Sequence, residues 1–102
     1  MREGLLPLVG ARERFRATVG FWGGTKGGTP KLLLEDVVWV KTGEYLAEHC
    51  WLRSTPEVVK ANLQRGDRVE FSAWVRPYRR GSGSRDIGLE DMHRIVGRGG
   101  WG

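Results

Sequence analysis

Apolar and polar residues alternate with a period of two from Glu13 onward. Phe15, Ala17, Val19 and Phe21 stand against Arg14, Arg16, Thr18 and Gly20. This alternation predicts a strand with one face buried. Gly20, and Gly23 with Gly24 just after it, predict a sharp coil or a bulge near its end. GGTKGGTP (23–30) reads as a glycine-rich loop carrying Lys26. KLLLEDVVWV (31–40), rich in apolar and β-branched residues but without clean alternation, predicts a second strand. KTGE (41–44) offers a tight turn in which Gly43 can take a positive φ, and YLAEHCWLR (45–53) returns as a third strand. The period then changes. Ser54 or Thr55 as N-cap, Pro56 in the first turn, Glu57 at the positive end of the dipole and Gly66 as the stop predict a helix of about ten residues. Val58, Val59 and Leu63 form its apolar stripe, suited to plugging the open end of a sheet. The cleanest alternation follows in GDRVEFSAWVRPY (66–78). Val69, Phe71, Ala73 and Val75 face one way; Arg68, Glu70, Ser72, Trp74 and Arg76 face the other. After the loop RRGSGSR (79–85), DIGLEDMHRIV (86–96) predicts a fifth strand with Ile87 and Leu89 in phase and a slip at Asp91-Met92 that suggests a bulge.

The predicted order is β-β-β-α-β-β, with glycine-rich loops after the first and fourth strands. That order predicts an all-β fold with small α content: a five-stranded OB-fold Greek-key barrel with one short helix between strands three and four. An SH3-like barrel lacks a helix at that place, and a ferredoxin-like fold needs two helices and four strands. The expected organisation is a flexible lead-in over residues 1–12, with at most one helical turn, a single domain over 13–96, and a loose glycine-rich tail over 97–102. RGDRVEFSAWVRPYRRG, followed after a short spacer by DIGLED, resembles the strand-four, loop, strand-five half of OB-fold proteins. It is similar to replication-protein-A-like and single-strand-binding domains, and to small phage and bacterial OB proteins. LAEHCWLR before the helix fits the same pattern as strand three. The resemblance covers roughly residues 13–96 and lies at the level of the fold. It implies binding of single-stranded nucleic acid across strands two and three, with the first and fourth connecting loops as clamps.

Composition sharpens that expectation. The 102 residues hold 17 Lys+Arg against 12 Asp+Glu, a net charge of +5 with a pI near 10.0. A basic domain of this kind has one part of a nucleic-acid footprint. The excess is mostly arginine, which grips phosphate with two donors and stacks on planar groups. Five Trp, two Tyr and three Phe are a heavy aromatic load for a small core, so some rings are expected at the surface. Single-strand binding needs cations along the backbone and flat rings under the bases. Lys26 and Lys31 sit in and just after the first loop; Arg76, Arg79, Arg80 and Arg85 surround the fourth. Tyr78 stands at the base of the fourth loop, as contact or anchor. Trp22 stands at the base of the first and shares parity with Arg14 and Arg16, so exposure is expected for it. Trp39 and Trp51 lie on strands two and three, where core packing and stacking are both open. Trp74 has the outward parity of strand four. Lys26, Lys31, Arg14, Arg16, Arg76, Arg79, Arg80, Arg85, Trp22, Trp39, Trp51, Trp74 and Tyr78 are therefore the candidate binding residues. Arg98-Gly-Gly-Trp-Gly at the end resembles a minimal RGG motif with an aromatic.

Other chemistry fits less well. His49, Cys50 and His93 are the only His and Cys residues, and His49 and Cys50 alternate faces along a strand, so no metal site or cofactor is expected. Glu35-Asp36 and Glu90-Asp91 likewise point apart and form no carboxylate dyad, so no catalytic residues are expected and the chain is read as a non-enzyme. GTKGGTP lacks the ending of a P-loop. One cysteine fits a reducing, cytoplasmic setting, and no apolar run approaches the length of a membrane span or a signal peptide. The rival expectations are a protein-protein or homo-oligomer module that uses the same rings as a contact surface, and a binder of oligosaccharide or another small ligand.

Overall fold

The computed structural model describes residues 3–23, 31–79, 83 and 85–97. Strand β4 (Arg68–Arg79) alternates as its sequence does, with Val69, Phe71, Ala73 and Val75 fully buried. Strand β1 (Arg12–Gly23) brings Phe15, Ala17 and Val19 to the same interior, with Phe15 opposite Phe71 and the ring centroids 6.0 Å apart. Strand β2 (Lys31–Trp39) runs antiparallel to β1 and to β3 (Glu44–Arg53). Strand β5 (Arg85–Gly97) runs antiparallel to β4 and meets β3 in parallel at Leu52 and Leu89. The sheet closes in the order β1-β2-β3-β5-β4, a five-stranded barrel whose one short helix, α1 (Pro56–Lys60), lies between β3 and β4 as expected. Closure removes the unpaired edges that an open sheet would present.

Long strands close a narrow barrel by bending, and here they bend where an extra residue enters the ladder. On β1 the pairs Val19–Leu34 and Phe21–Leu33 leave Gly20 over. On β2 the extra residue coincides with Asp36 at φ 53°. On β5 the predicted slip is a bulge at Asp91 (φ 58°), and a second follows at Arg94 (φ 52°). The Gly20 bulge corrects one expectation. An extra residue reverses side-chain phase, so Phe21, predicted to face inward with Val19, turns outward and is 49% exposed.

Both barrel ends are plugged. Thr55 caps α1 by accepting the Val58 N–H, and Val58 and Leu63 are buried where β3 ends and β4 begins. The helix is 5 residues long, not about ten, because Asn62 takes φ 51° directly after the C-cap Ala61. A turn closed by the Asp67 N–H on the Gln64 carbonyl then fills the distance to Gly66. The opposite end is closed by a 3-10 helix over Glu3–Leu8, within the stretch expected to be a flexible lead-in. An open barrel end would leave apolar side chains in water, and Leu5, with 0% exposure, and Leu8 fill it. Gly4 approaches the Leu46 backbone so closely that any β-carbon would overlap it. Gly10 donates to the Val75 carbonyl and the Val75 N–H to that of Ala11, at 2.8 and 2.9 Å. The stretch from Gly4 to Ala11 thus packs on the barrel.

Candidate functional site

On the outer wall of the barrel, the ladder aligns side chains from separate strands into rows. Leu32 and Leu34 point inward, fully buried, so Lys31, Leu33 and Glu35 point out; Cys50 and Leu52 point inward, so His49, Trp51 and Arg53 point out. Register then builds neighbouring rows. Lys31 stands between Gly23 and Arg53; Leu33 stands between Phe21 and Trp51; Glu35 stands opposite His49. The middle row is apolar and planar. Phe21 meets Trp51 edge to face at 5.7 Å between centroids, and Leu33 lies beneath them, 7% exposed, outside the interior core cluster. Gly23 permits this arrangement, since a β-carbon there would stand 3.0 Å from the Trp51 ring.

Trp51 borders a cleft of about 80 Å³ lined by Lys31, Arg53, Arg76, Gly88, Leu89 and Glu90. Gly88, opposite Arg76 on the neighbouring strand, adds no side chain to its lining. The Arg76 guanidinium lies over the Trp74 ring at 4.8 Å, and its Nε is 3.8 Å from Glu90 Oε2. Among the described residues neither Lys31 nor Arg53 has a carboxylate partner. One surface therefore presents a cationic row, an aromatic row beside it, and a stacked Trp74–Arg76 pair across the cleft. The next row out carries the opposite sign: His49 Nε2 is 3.8 Å from Glu35, and the Tyr45 hydroxyl donates to Asp36 Oδ1 at 2.9 Å, which raises the phenol above its ordinary pKa.

The remaining candidates are dispersed. Trp39 packs half-buried against the core at the far end of β2, donates its indole N–H to Glu13 Oε1 at 3.1 Å and has Lys41 over its ring. Trp22 is 39% exposed but lies outside the Trp51 row: past the Gly20 bulge it aligns with inward-facing Leu32 and donates to the Leu63 carbonyl at 3.2 Å. Arg14 and Arg16 lie on the β1–β4 wall. Arg14 Nε donates to Glu70 Oε2 at 2.7 Å, its Nη1 to Ser72 Oγ and its Nη2 to the Arg94 carbonyl; Arg16 Nε reaches Glu70 Oε1 at 3.3 Å. The Arg14 hydrogen bond is the main cause holding the Glu70 carboxyl below its ordinary pKa. Lys26 and Arg80, like the tail with Arg98 and Trp101, lie outside the described residues, as do the side chains of Tyr78, Arg79 and Arg85. Sequence reasoning missed Arg53, Phe21 and Leu33. Arg53 was within reach, since it shares parity with Trp51; Phe21 was hidden by the bulge.

Comparison with protein-family profiles, with curated proteins and with solved structures finds no match to this chain.

Proposed function

We propose that the protein binds single-stranded nucleic acid along the outer face of β2 and β3, with little sequence preference and with DNA ahead of RNA on fold resemblance alone. In this reading the barrel is an OB-fold. The observation that carries it is the juxtaposition of the Lys31–Arg53 row with the Phe21–Leu33–Trp51 row, beside the Trp74–Arg76 pair. Phosphates lie along the cations and bases lie on the rings, the two requirements of single-strand binding. Every base has a π-face, so such a platform reads stacking rather than sequence.

The test is a tryptophan-fluorescence titration with dT and rU oligomers at two salt concentrations. Lys31, Arg53 and Arg76 as phosphate partners give a slope of log K against log salt of about −2, at roughly 0.7 per phosphate on single strands. Cations in the flanking loops would steepen it toward −3. Fluorescence that does not respond at low salt overturns the proposal and leaves the rings as a protein contact. A ring-dependent signal without salt dependence would point instead to an uncharged ligand.

A further inference from the structure

A second, broader concavity of about 620 Å³ opens beside α1, lined by Phe21, Trp22, Ser54, Val59, Leu63 and the Asn62–Arg65 turn. Resting on the reading above, we infer that it is a second nucleotide subsite, which receives the strand as it leaves the Trp51 row and passes over Phe21. Phe21 borders both places: it packs edge-on against Trp51 and also lines this concavity. Trp22 is held as a platform. Its N–H is already used on the Leu63 carbonyl, so what it offers outward is ring. Val59, 62% exposed, widens the apolar floor. Polar chemistry surrounds that floor. Gln64 Nε2 donates to Asn62 Oδ1, so Asn62 Nδ2 and Gln64 Oε1 have no partner among the described residues and are free to meet a base edge. Arg65 supplies the cation, and no carboxylate lines the concavity, in contrast to Glu90 in the first cleft.

The test compares dT4 with dT12 on the full chain, using Val59→Glu, Arg65→Glu and Trp22→Phe, with circular dichroism to confirm the fold. Val59 and Arg65 are exposed, so their substitution leaves the interior intact. The expected result is a gain in affinity from dT4 to dT12 for the unsubstituted chain. Val59→Glu with Arg65→Glu reduces that gain at least fivefold while dT4 affinity stays within twofold. Trp22→Phe, which keeps a ring, retains most of the gain. If dT4 and dT12 weaken equally, or neither weakens, the subsite is overturned while the first cleft stands. If dT4 and dT12 both fail to bind the unsubstituted chain, the functional reading itself falls. Concentration-dependent sedimentation abolished by Val59→Glu, with oligomer binding unchanged, would overturn the inference in favour of a second copy of the chain.

Discussion

Two walls of this barrel carry arginines on their outer faces, and they use them differently. On the β1–β4 wall, Arg14 has Glu70, Ser72 and the Arg94 carbonyl as partners, and Arg16 shares the same carboxylate. On the β2–β3 wall, Lys31 and Arg53 flank an aromatic row with no carboxylate partner among the described residues; across the cleft, Arg76 of β4 stacks on Trp74 and approaches Glu90 at a loose 3.8 Å. The net charge of +5 does not distinguish these walls. What separates them is where the acids stand in the ladder. A charge held by an internal partner contributes to stability, whereas a charge beside exposed rings remains available to a ligand.

The strongest break in that contrast is Trp51→Ala. Losing one stacked base costs ~1–3 kcal/mol, so the dissociation constant should rise roughly 5- to 150-fold at the usual tenfold per 1.4 kcal/mol. Arg14→Ala should leave binding within about twofold and instead lower stability by about 1 kcal/mol, as expected for lost partly exposed hydrogen bonds and ion pairs. Fluorescence anisotropy with a labelled oligomer, alongside thermal melts, reads both. Equal binding losses for the two variants would erase the distinction between the walls.

A smaller effect follows from the cations. Lys31→Ala with Arg53→Ala should flatten the slope of log K against log salt by about 1.4, with affinity reduced several-fold at physiological salt. Smaller again is Glu90→Gln. The Glu90 carboxylate approaches Arg76 at 3.8 Å and lines the cleft, so it competes with an incoming phosphate. Exposed ion pairs are worth ~0.2–1 kcal/mol, so its removal should tighten oligomer binding by at most about fivefold. Weaker binding instead would mean that Glu90 positions Arg76 rather than opposing the ligand.

The fold was largely legible because alternation and punctuation are local signals. Val69, Phe71, Ala73 and Val75 read correctly as one face, and Thr55 with Pro56 marked the start of α1. The site was less legible because it depends on register. Parity counted from Arg14 put Phe21 inside, and one inserted residue at Gly20 turned it outward; Trp22, expected outside, is exposed but falls in line with inward-facing Leu32 rather than with the Trp51 row. Trp39 and Trp51 looked equivalent in sequence, yet the indole of one is tied to Glu13 at the barrel rim while the other lies over Gly23 beside the open cleft. Leu5 was missed as core because six residues of 3-10 helix interrupted by Pro7 carry no periodic signature.

The smallest expected effect tests the internally paired wall by itself. Glu70 titrates below its ordinary 4.5, chiefly because Arg14 hydrogen-bonds its ionised form. A carboxyl with a depressed folded pKa stabilises fully above its unfolded value, and that contribution is lost as pH falls through the folded one. Stability attributable to Glu70 is therefore intact from neutrality down to about pH 5 and fades below 4.5. Glu70→Gln should lower stability by ~0.2–1 kcal/mol at pH 7, the range for exposed pairs, and the gap between the two melting curves should close as pH drops toward 3. A gap that stays constant with pH would show that Glu70 acts through packing. The same variant also tests the contrast between walls, because it loosens the hold on Arg14 and Arg16 without touching the β2–β3 face. Oligomer affinity that stays constant in Glu70→Gln keeps the ligand on the aromatic wall. Affinity that rises, together with a steeper salt slope, would extend the ligand's path onto the β1–β4 wall and make the acid there a restraint on binding.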